Sequence, residues 1–161
     1  MTDRAANTEA RRAGSGAGEA MVYRKILVPL DGSPGSWKAL RKAIIIAKEQ
    51  SSELALLSVE EHLPRYAATV GEVDEEKERE NDYFAEVQAR AAALAKEQGV
   101  VLRAQTVVGH AAHTIVQYAK EQGVDLIAIG HSGQSGIWGA LLGSTTARVV
   151  DQAHCDVLVV R

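Results

Sequence analysis

The chain has 161 residues and a formal net charge of −3 at pH 7, from 18 basic and 21 acidic side chains. This length fits one domain, which can bury roughly two thirds of the surface of its unfolded chain. A net charge of −3 gives no basic field for nucleic acid, and no apolar run approaches the ~20 residues that cross a bilayer. We therefore expect one soluble domain that neither binds nucleic acid nor inserts into a membrane.

Cysteine usage and the start of the chain set the expected compartment. Cys155 is the single cysteine, so no internal disulfide can form and a reducing environment is expected. Residues 1–20 mix small residues with balanced charge and lack the apolar core of a signal peptide. We expect a mobile tail at 1–20, a domain at 21–161 and a cytoplasmic location.

The first half of the chain predicts strand, helix and strand in succession. Residues 25–30 form the first predicted strand, and Ser33 is expected to cap the helix that follows. Residues 53–59 form a second apolar strand, continuous rather than alternating, which is expected to be buried. Residues 61–73 show no clear period and are predicted to form a long loop.

The second half continues the alternation. A helix is predicted to begin at Asp74 and to end before Gly99, with its acidic first turns forming a solvated face. The remaining predicted elements are a strand over 102–108, a helix ending before Gly123, a strand over 124–129, a helix opening at Ser144 and a strand over 155–160. Strict alternation predicts an α/β fold with a parallel sheet and helices on both faces.

A glycine-rich stretch, GHSGQSGIWGALLGS, runs from Gly130 to Ser144 directly after the fourth predicted strand. Its glycines are expected to take positive φ and to allow a ligand close to the backbone. Ser144, Thr145 and Thr146 open the next helix, where free N–H groups and the positive end of the macrodipole meet three hydroxyls. The stretch therefore predicts a phosphate site.

The loop inside this stretch is expected to be partly ordered before any ligand binds. Fixing residues 134–142 from full disorder would cost about 1–2 kcal/mol each, which exceeds what most nucleotide binding could offset. Burial of Ile137, Trp138, Leu141 and Leu142 is the expected source of order, at roughly 1.5–3 kcal/mol apiece.

The spacing of Gly130, Gly133, Gly143 and Ser144 resembles the ATP-binding signature of the universal stress protein family. The resemblance covers roughly residues 23–161 and includes ILVPLDGS near the start and CDVLVVR at the end. It implies an open doubly wound α/β fold with five parallel strands in the order 3-2-1-4-5. The first and fourth strands are neighbours in that order, and the loops after them face each other across the crevice where ligands bind in such sheets.

The resemblance also implies which residues contact the ligand, with ATP and Mg²⁺ as the expected cofactors. Pro29, Val59 and Ile129 match positions that line the adenine pocket, although all three also suit a plain core. Asp31 is expected to bind a ribose hydroxyl or help hold Mg²⁺, unless it only hydrogen-bonds the backbone of its own turn. The expected phosphate side of the site consists of Gly130, Gly133, Gly143, Ser144, Thr145 and Thr146.

No catalytic residue is assigned. The sequence lacks GxxxxGK[ST], so no P-loop lysine is available for phosphoryl transfer, and the SGGxDS loop of adenylating enzymes is absent as well. His131 lies inside the glycine-rich stretch but has no evident orienting partner. A zinc site is weakly suggested by His110, His113, His154 and Cys155, without the CxxC or HExxH spacing that would support it.

The expected function is that of an ATP-binding regulator, in which nucleotide changes loop order and the surface offered to an unidentified partner protein. One alternative is a slow ATPase or a protein that phosphorylates itself on a serine or threonine near the site. Another alternative is a structural dimer or adaptor that binds no nucleotide. The intact glycine motif disfavours this last alternative.

A homodimer is expected through residues 155–161. The fifth strand is an edge in the implied order, yet Val157 to Val160 carries no charge, proline or bulge signal of the kind that protects an exposed edge. A second copy would cover it by antiparallel pairing across a two-fold axis. The alternative is that helices already hide these side chains and that the edge is short and hydrated.

Overall fold

The computed structural model describes residues 23–61, 70–132 and 141–161, with only the backbone described over 70–77. The expected tail at 1–20 lies outside these ranges. Strands and helices alternate without exception among the described elements. These are β1 (Lys25–Pro29), α1 (Pro34–Gln50), β2 (Glu53–Glu60), α2 (Val70–Glu97), β3 (Leu102–Val108), α3 (Ala111–Glu121), β4 (Leu126–Gly130), α4 (Ser144–Gln152) and β5 (Asp156–Val160).

The described strands form one sheet in the order β3-β2-β1-β4-β5, and every neighbouring pair is parallel. The expected fold class and strand order are therefore confirmed. β1 pairs with β2 on one side and with β4 on the other, where Ile26 lies opposite Leu126. The chain thus reverses its direction of winding between β1 and β4, which is where an open α/β sheet opens a crevice.

Helices cover both faces of the sheet. Successive side chains of a strand point to opposite faces, so β1 contributes to two cores. Ile26 and Val28 pack with α1 and α2, whereas Leu27 packs with α3 and α4. All five residues of β4 are buried, as the unbroken apolar run before the glycine-rich stretch predicts.

Helix α1 begins as its sequence predicts. Ser33 is the N-cap, with its side-chain oxygen accepting a hydrogen bond from the Ser36 N–H at 3.3 Å, and Pro34 occupies the first helical position. Both residues satisfy the backbone needs of a helix start, since the cap pairs one free donor and proline removes another.

Helix α2 begins at Val70, four residues before the predicted start at Asp74, so the predicted loop over residues 70–73 is wrong. Gly71 lies inside the helix despite its low helix propensity, which costs about 1 kcal/mol relative to alanine. No described helix is both long enough and apolar enough to cross a membrane.

The two edges of the sheet differ in character. The middle of β3 is exposed and mostly polar, and the Gln88 side chain of α2 donates to Thr106 Oγ1 at 2.7 Å. In β5, by contrast, Val157, Leu158 and Val159 are half-buried and pack against the two cores. The apolar edge is therefore the β5 edge.

Cys155, immediately before β5, is half-buried, and burial raises the pKa of its thiol, assisted by the negative charges of Asp156 and Asp125. Only the thiolate reacts with iodoacetamide. We expect alkylation of Cys155 at pH 8 to be several-fold slower than that of a cysteine in an unfolded reference peptide. The midpoint of the rate–pH curve should lie above that of the peptide, and Asp156→Asn should lower it. A midpoint at or below that of the peptide would contradict this expectation.

Candidate functional site

A cleft of about 340 Å³ opens at the carboxyl ends of β1 and β4. Every described residue that the sequence assigns to the ligand site lines this one cleft. Gly133, the remaining assigned residue, lies outside the described ranges. The assigned lining residues are Pro29, Asp31, Val59, Ile129, Gly130, Gly143, Ser144, Thr145 and Thr146.

The turn between β1 and α1 forms one wall and is held by side chains from two helices. Asp31 Oδ1 accepts a hydrogen bond from the Ser33 N–H at 3.0 Å, so this carboxylate shapes its own turn. Gly32 has φ +82, and a Cβ there would collide with the Tyr83 hydroxyl. Trp37 Nε1 donates to the Gly32 carbonyl at 3.1 Å, and the Tyr83 hydroxyl donates to the Asp31 carbonyl at 3.0 Å.

The connection from β4 to α4 forms the opposite wall. Thr146 is buried, and its hydroxyl donates to the Gly130 carbonyl at 2.8 Å, which joins the start of α4 to the end of β4. The Gly143 N–H donates to the His131 carbonyl at 2.9 Å. The two ends of the intervening segment are thereby fixed next to each other.

The expected positive φ is wrong for both described glycines of the motif. Gly143 is the N-cap of α4 with φ −58, and Gly130 is not among the described glycines with positive φ. Gly130 is required for a different reason, because a Cβ there would lie 2.6 Å from Gly35 C and 2.9 Å from Ser36 N. The absence of a side chain lets the end of β4 pack directly on the backbone of α1.

The start of α4 supplies donors to the cleft. Helix geometry leaves the first backbone N–H groups of α4 without an acceptor inside the helix, and Gly143 provides no side-chain cap. The hydroxyl of Ser144 lies at the exposed start of the helix and that of Thr145 is half-buried beside it. Neutral donors and the positive end of a macrodipole thus meet at this corner.

Acidic side chains line the other side of the cleft. Glu60, Glu61 and Glu80 join Asp31 there, and the described lining residues include no lysine or arginine. Glu80 is half-buried, so the prediction that the whole acidic run forms a solvated face is wrong at this residue. Sequence reasoning missed Glu60 and Glu61, although both come at the carboxyl end of β2 and therefore at the edge where the crevice forms.

Glu61 also has a structural role. Its Oε1 atom accepts a hydrogen bond from the Ala111 N–H at 2.6 Å, while His110, the N-cap of α3, makes no side-chain capping bond. A carboxylate at a helix N-terminus is stabilised by the macrodipole. Other lining residues absent from the sequence assignment are Leu30, Ser33, Ser36, Leu57, Phe84, Ala111, Ile115 and Ser132.

Two further sequence expectations can be placed against the structure. Leu141 and Leu142 are 80% and 37% exposed, so their expected burial in the loop is wrong, while Ile137 and Trp138 lie outside the described residues. Across 23–61, 70–132 and 141–161, no group of three or more His, Cys, Asp or Glu side chains is placed to hold a metal ion.

Sheet order and cleft together define an open doubly wound α/β protein with a ligand-sized crevice at its switch point. The chain belongs to the universal stress protein family, whose model matches residues 22–161. Universal stress protein YxiE of Bacillus subtilis is 36% identical over 148 residues, covering 87% of this chain and 100% of YxiE.

Solved structures agree with this assignment. The universal stress protein UspA from Lactobacillus plantarum superposes with a TM-score of 0.79 at 30% identity, covering 86% of this chain and 98% of that chain. A universal stress protein in complex with cAMP superposes with a TM-score of 0.68 at 28% identity, covering 87% of this chain and 98% of that chain.

Proposed function

We propose that residues 21–161 form a nucleotide-binding domain that holds ATP with Mg²⁺ in the cleft between β1 and β4. Bound nucleotide would change the order of the loop before α4 and the surface offered to a partner protein, so that the protein acts as a regulator. The observation that carries this proposal is that nine residues assigned from the sequence, which come from three separate stretches of the chain, line one cleft. The relative that binds cAMP supports an adenine nucleotide as the class of ligand.

The apolar part of the cleft suits a planar base. Pro29, Val59 and Ile129 line it together with Ile115 and Phe84, and the volume of the whole cleft, about 340 Å³, lies within the usual range of small-molecule sites. Asp31 is placed at the turn beyond β1, where its carboxylate can accept a hydrogen bond from a ribose hydroxyl. The described residues therefore fit a nucleoside.

The phosphate part requires a cation. The described residues that line the cleft include four acidic residues and no lysine or arginine, so the described lining supplies no cationic side chain to a triphosphate. Mg²⁺ supplies positive charge and shares phosphate oxygens while keeping some of its waters. Asp31 is the proposed protein ligand, and the α4 donors would hold the phosphate oxygens.

Regulation is favoured over catalysis because the described cleft residues offer no cationic side chain to stabilise a phosphoryl-transfer transition state. A slow ATPase or a self-phosphorylating protein is the competing function. Single-turnover incubation with γ-labelled ATP separates the two, since a regulator leaves the label on ATP and an enzyme releases it or transfers it to protein.

We also propose a homodimer through β5 and a cytoplasmic location. The Asp156 N–H donates to the backbone carbonyl of Asp125, the residue before β4. The Val160 carbonyl accepts from the His131 N–H, just after β4. Backbone groups alternate in direction along a strand, so the N–H groups of Val157 and Val159 face away from β4. A second copy can pair with these outward groups without disturbing the sheet.

Substitutions at the start of α4 test nucleotide binding. Gly143→Val should abolish detectable binding by calorimetry, because a branched side chain would fill the corner beside the α4 donors. Valine accepts the observed φ of −58, so the fold should remain intact. Ser144→Ala should remove one charge-assisted hydrogen bond worth roughly 1.5–3 kcal/mol, or about tenfold or more in affinity.

Thr106→Val is the matched control, since it removes a hydroxyl from the exposed edge strand β3, outside the residues that line the cleft, and should leave affinity unchanged. Chelation of Mg²⁺ should weaken ATP binding to the unaltered protein. Equal ATP affinity in both cleft variants, with intact circular dichroism spectra, would refute the proposed site.

A further inference from the structure

The solvent-facing side of α1 carries a concentration of positive charge that the rest of the molecule does not explain. Helix α1 contains four basic residues and a single acidic residue, the exposed Glu49 near its C-terminal end, which gives this helix a net charge of +3 in a chain whose net charge is −3. Lys38, Arg41, Lys42 and Lys48 are all exposed, and Ile45 among them is 51% exposed. We call these five residues the α1 outer face.

Helix geometry places these residues on one surface. They follow the spacing i, i+3, i+4, i+7 and i+10, which brings each within reach of the next on a helix face. Helix α1 buries Ala39, Leu40 and Ala43 against the sheet, so the α1 outer face lies on the opposite side of the helix. The five residues of the α1 outer face span roughly 15 Å along the helix axis, and Ile45 lies between the cations.

Contacts within the described part of the chain do not explain these charges. No hydrogen bond or ion pair joins Lys38, Arg41 or Lys42 to another residue in the described part of the chain, and Lys48 contacts only the neutral Gln98 side chain, at 3.4 Å. Like charges three and four residues apart weaken a helix, and cations in its first half oppose the macrodipole. The first turn contains no acidic residue to compensate.

We propose that the α1 outer face binds an acidic amphipathic helix of a partner protein, with carboxylates against the four cations and one apolar side chain against Ile45. Complementary charges would select the partner and speed its association, and the apolar contact would fix its register. This proposal goes beyond nucleotide binding and stands without it, because the face lies away from the cleft.

The neighbouring helix favours a narrow partner over a broad anionic surface. Helix α2 packs on the same side of the sheet as α1 and exposes Glu78, Asp82 and Glu86, while its exposed Arg90 stacks on Trp37 of α1. A broad anionic surface that covered α1 and α2 together would also meet the three carboxylates. A single helix lying along α1 avoids them, and an exposed isoleucine among the cations suits a protein better than a nucleic-acid backbone, which offers only charge.

The test uses the full-length ¹⁵N-labelled protein and a 20-residue helical peptide with one leucine stripe flanked by glutamates. Backbone amide shifts on titration at 50 mM salt should concentrate in residues 38–48. Arg41→Glu combined with Lys42→Glu should weaken binding at least about tenfold. Lys96→Glu combined with Lys120→Glu makes the same change in net charge at exposed sites on other helices and should change binding less than twofold.

The apolar contact has its own control. Ile45→Ser should weaken binding of the leucine-bearing peptide several-fold, whereas Val101→Ser, at a valine that is 79% exposed elsewhere, should not. Equal losses in the two charge-reversal pairs, or shifts outside α1, would overturn the proposal. It would also be overturned if phosphatidylserine vesicles or a 20-base-pair DNA duplex bound through α1 while the peptide did not.

Discussion

Replacing Gly130 with alanine is expected to destabilise the protein and to weaken nucleotide binding in the same variant. The added Cβ would lie 2.6, 2.8 and 2.9 Å from Gly35 C, Gly35 O and Ser36 N, all backbone atoms of the first turn of α1. Backbone cannot rotate aside as a side chain can, so α1 and β4 must separate. Overpacking of this kind typically costs about 1–3 kcal/mol. Denaturant unfolding and ATP calorimetry measure the two effects.

Gly99→Ala separates this collision from the conformational preference of glycine. Gly99 has φ +73 with open space around it, so alanine there should cost about 1 kcal/mol through backbone strain. ATP affinity should then remain unchanged, because Gly99 lies beyond the end of α2, away from the cleft. A Gly130→Ala variant with unaltered stability would show that the close packing between β4 and α1 is not maintained in solution.

Replacing Val159 with proline is expected to convert the proposed dimer to a monomer. The Val159 N–H faces away from β4, so proline removes a donor needed by a second copy and none used within the sheet. Two-fold symmetry doubles the loss, which at about 0.5–1.5 kcal/mol per hydrogen bond gives roughly five- to hundredfold in Kd. Analytical ultracentrifugation at micromolar concentration reports the change.

Leu158→Pro is the contrasting variant, because the Leu158 N–H points toward β4 and its loss should destabilise the sheet itself. Val159→Pro should therefore melt nearer to the unaltered protein than Leu158→Pro does. The unaltered protein should sediment at twice its 17.2 kDa chain mass. A monomer at micromolar concentration would exclude the dimer.

The alternation of elements could be predicted from residues alone because the signals are local. Apolar runs such as 124–129 have no alternation to suit a half-exposed strand, and Ser33 followed by proline is a helix start whatever surrounds it. Strand order is different, since no local signal says which strands pair. That order came from the family resemblance, and the sheet confirms it.

The errors fall where tertiary packing decides. The role of Gly130 depends on the approach of Gly35, which is far away in sequence, so the positive φ that the sequence predicts for Gly130 is wrong. Glu80 belongs to a charged run whose composition predicts exposure to solvent. Helix α2 is positioned so that this one residue lines the cleft. Composition reports average exposure and cannot single out such a residue.

The candidate site was predictable in part for a geometric reason. Parallel strands end at a common edge, so residues that follow β1 and β4 must converge once the strand order is given. Phe84 and Ile115 are helical residues, and their contribution depends on how α2 and α3 lie across that edge. Neither residue carries a sequence signal that distinguishes it from an ordinary core position.

The hydrogen bond between the His131 carbonyl and the Gly143 N–H makes the segment between them a closed ring with its own stem. The entropy of closing such a ring grows only slowly, by about 0.6 kcal/mol for each doubling of its length. Lengthening, shortening or grafting of the ring therefore leaves sheet and helices almost untouched. Variation in the length of this connection is therefore compatible with a constant scaffold of strands and helices.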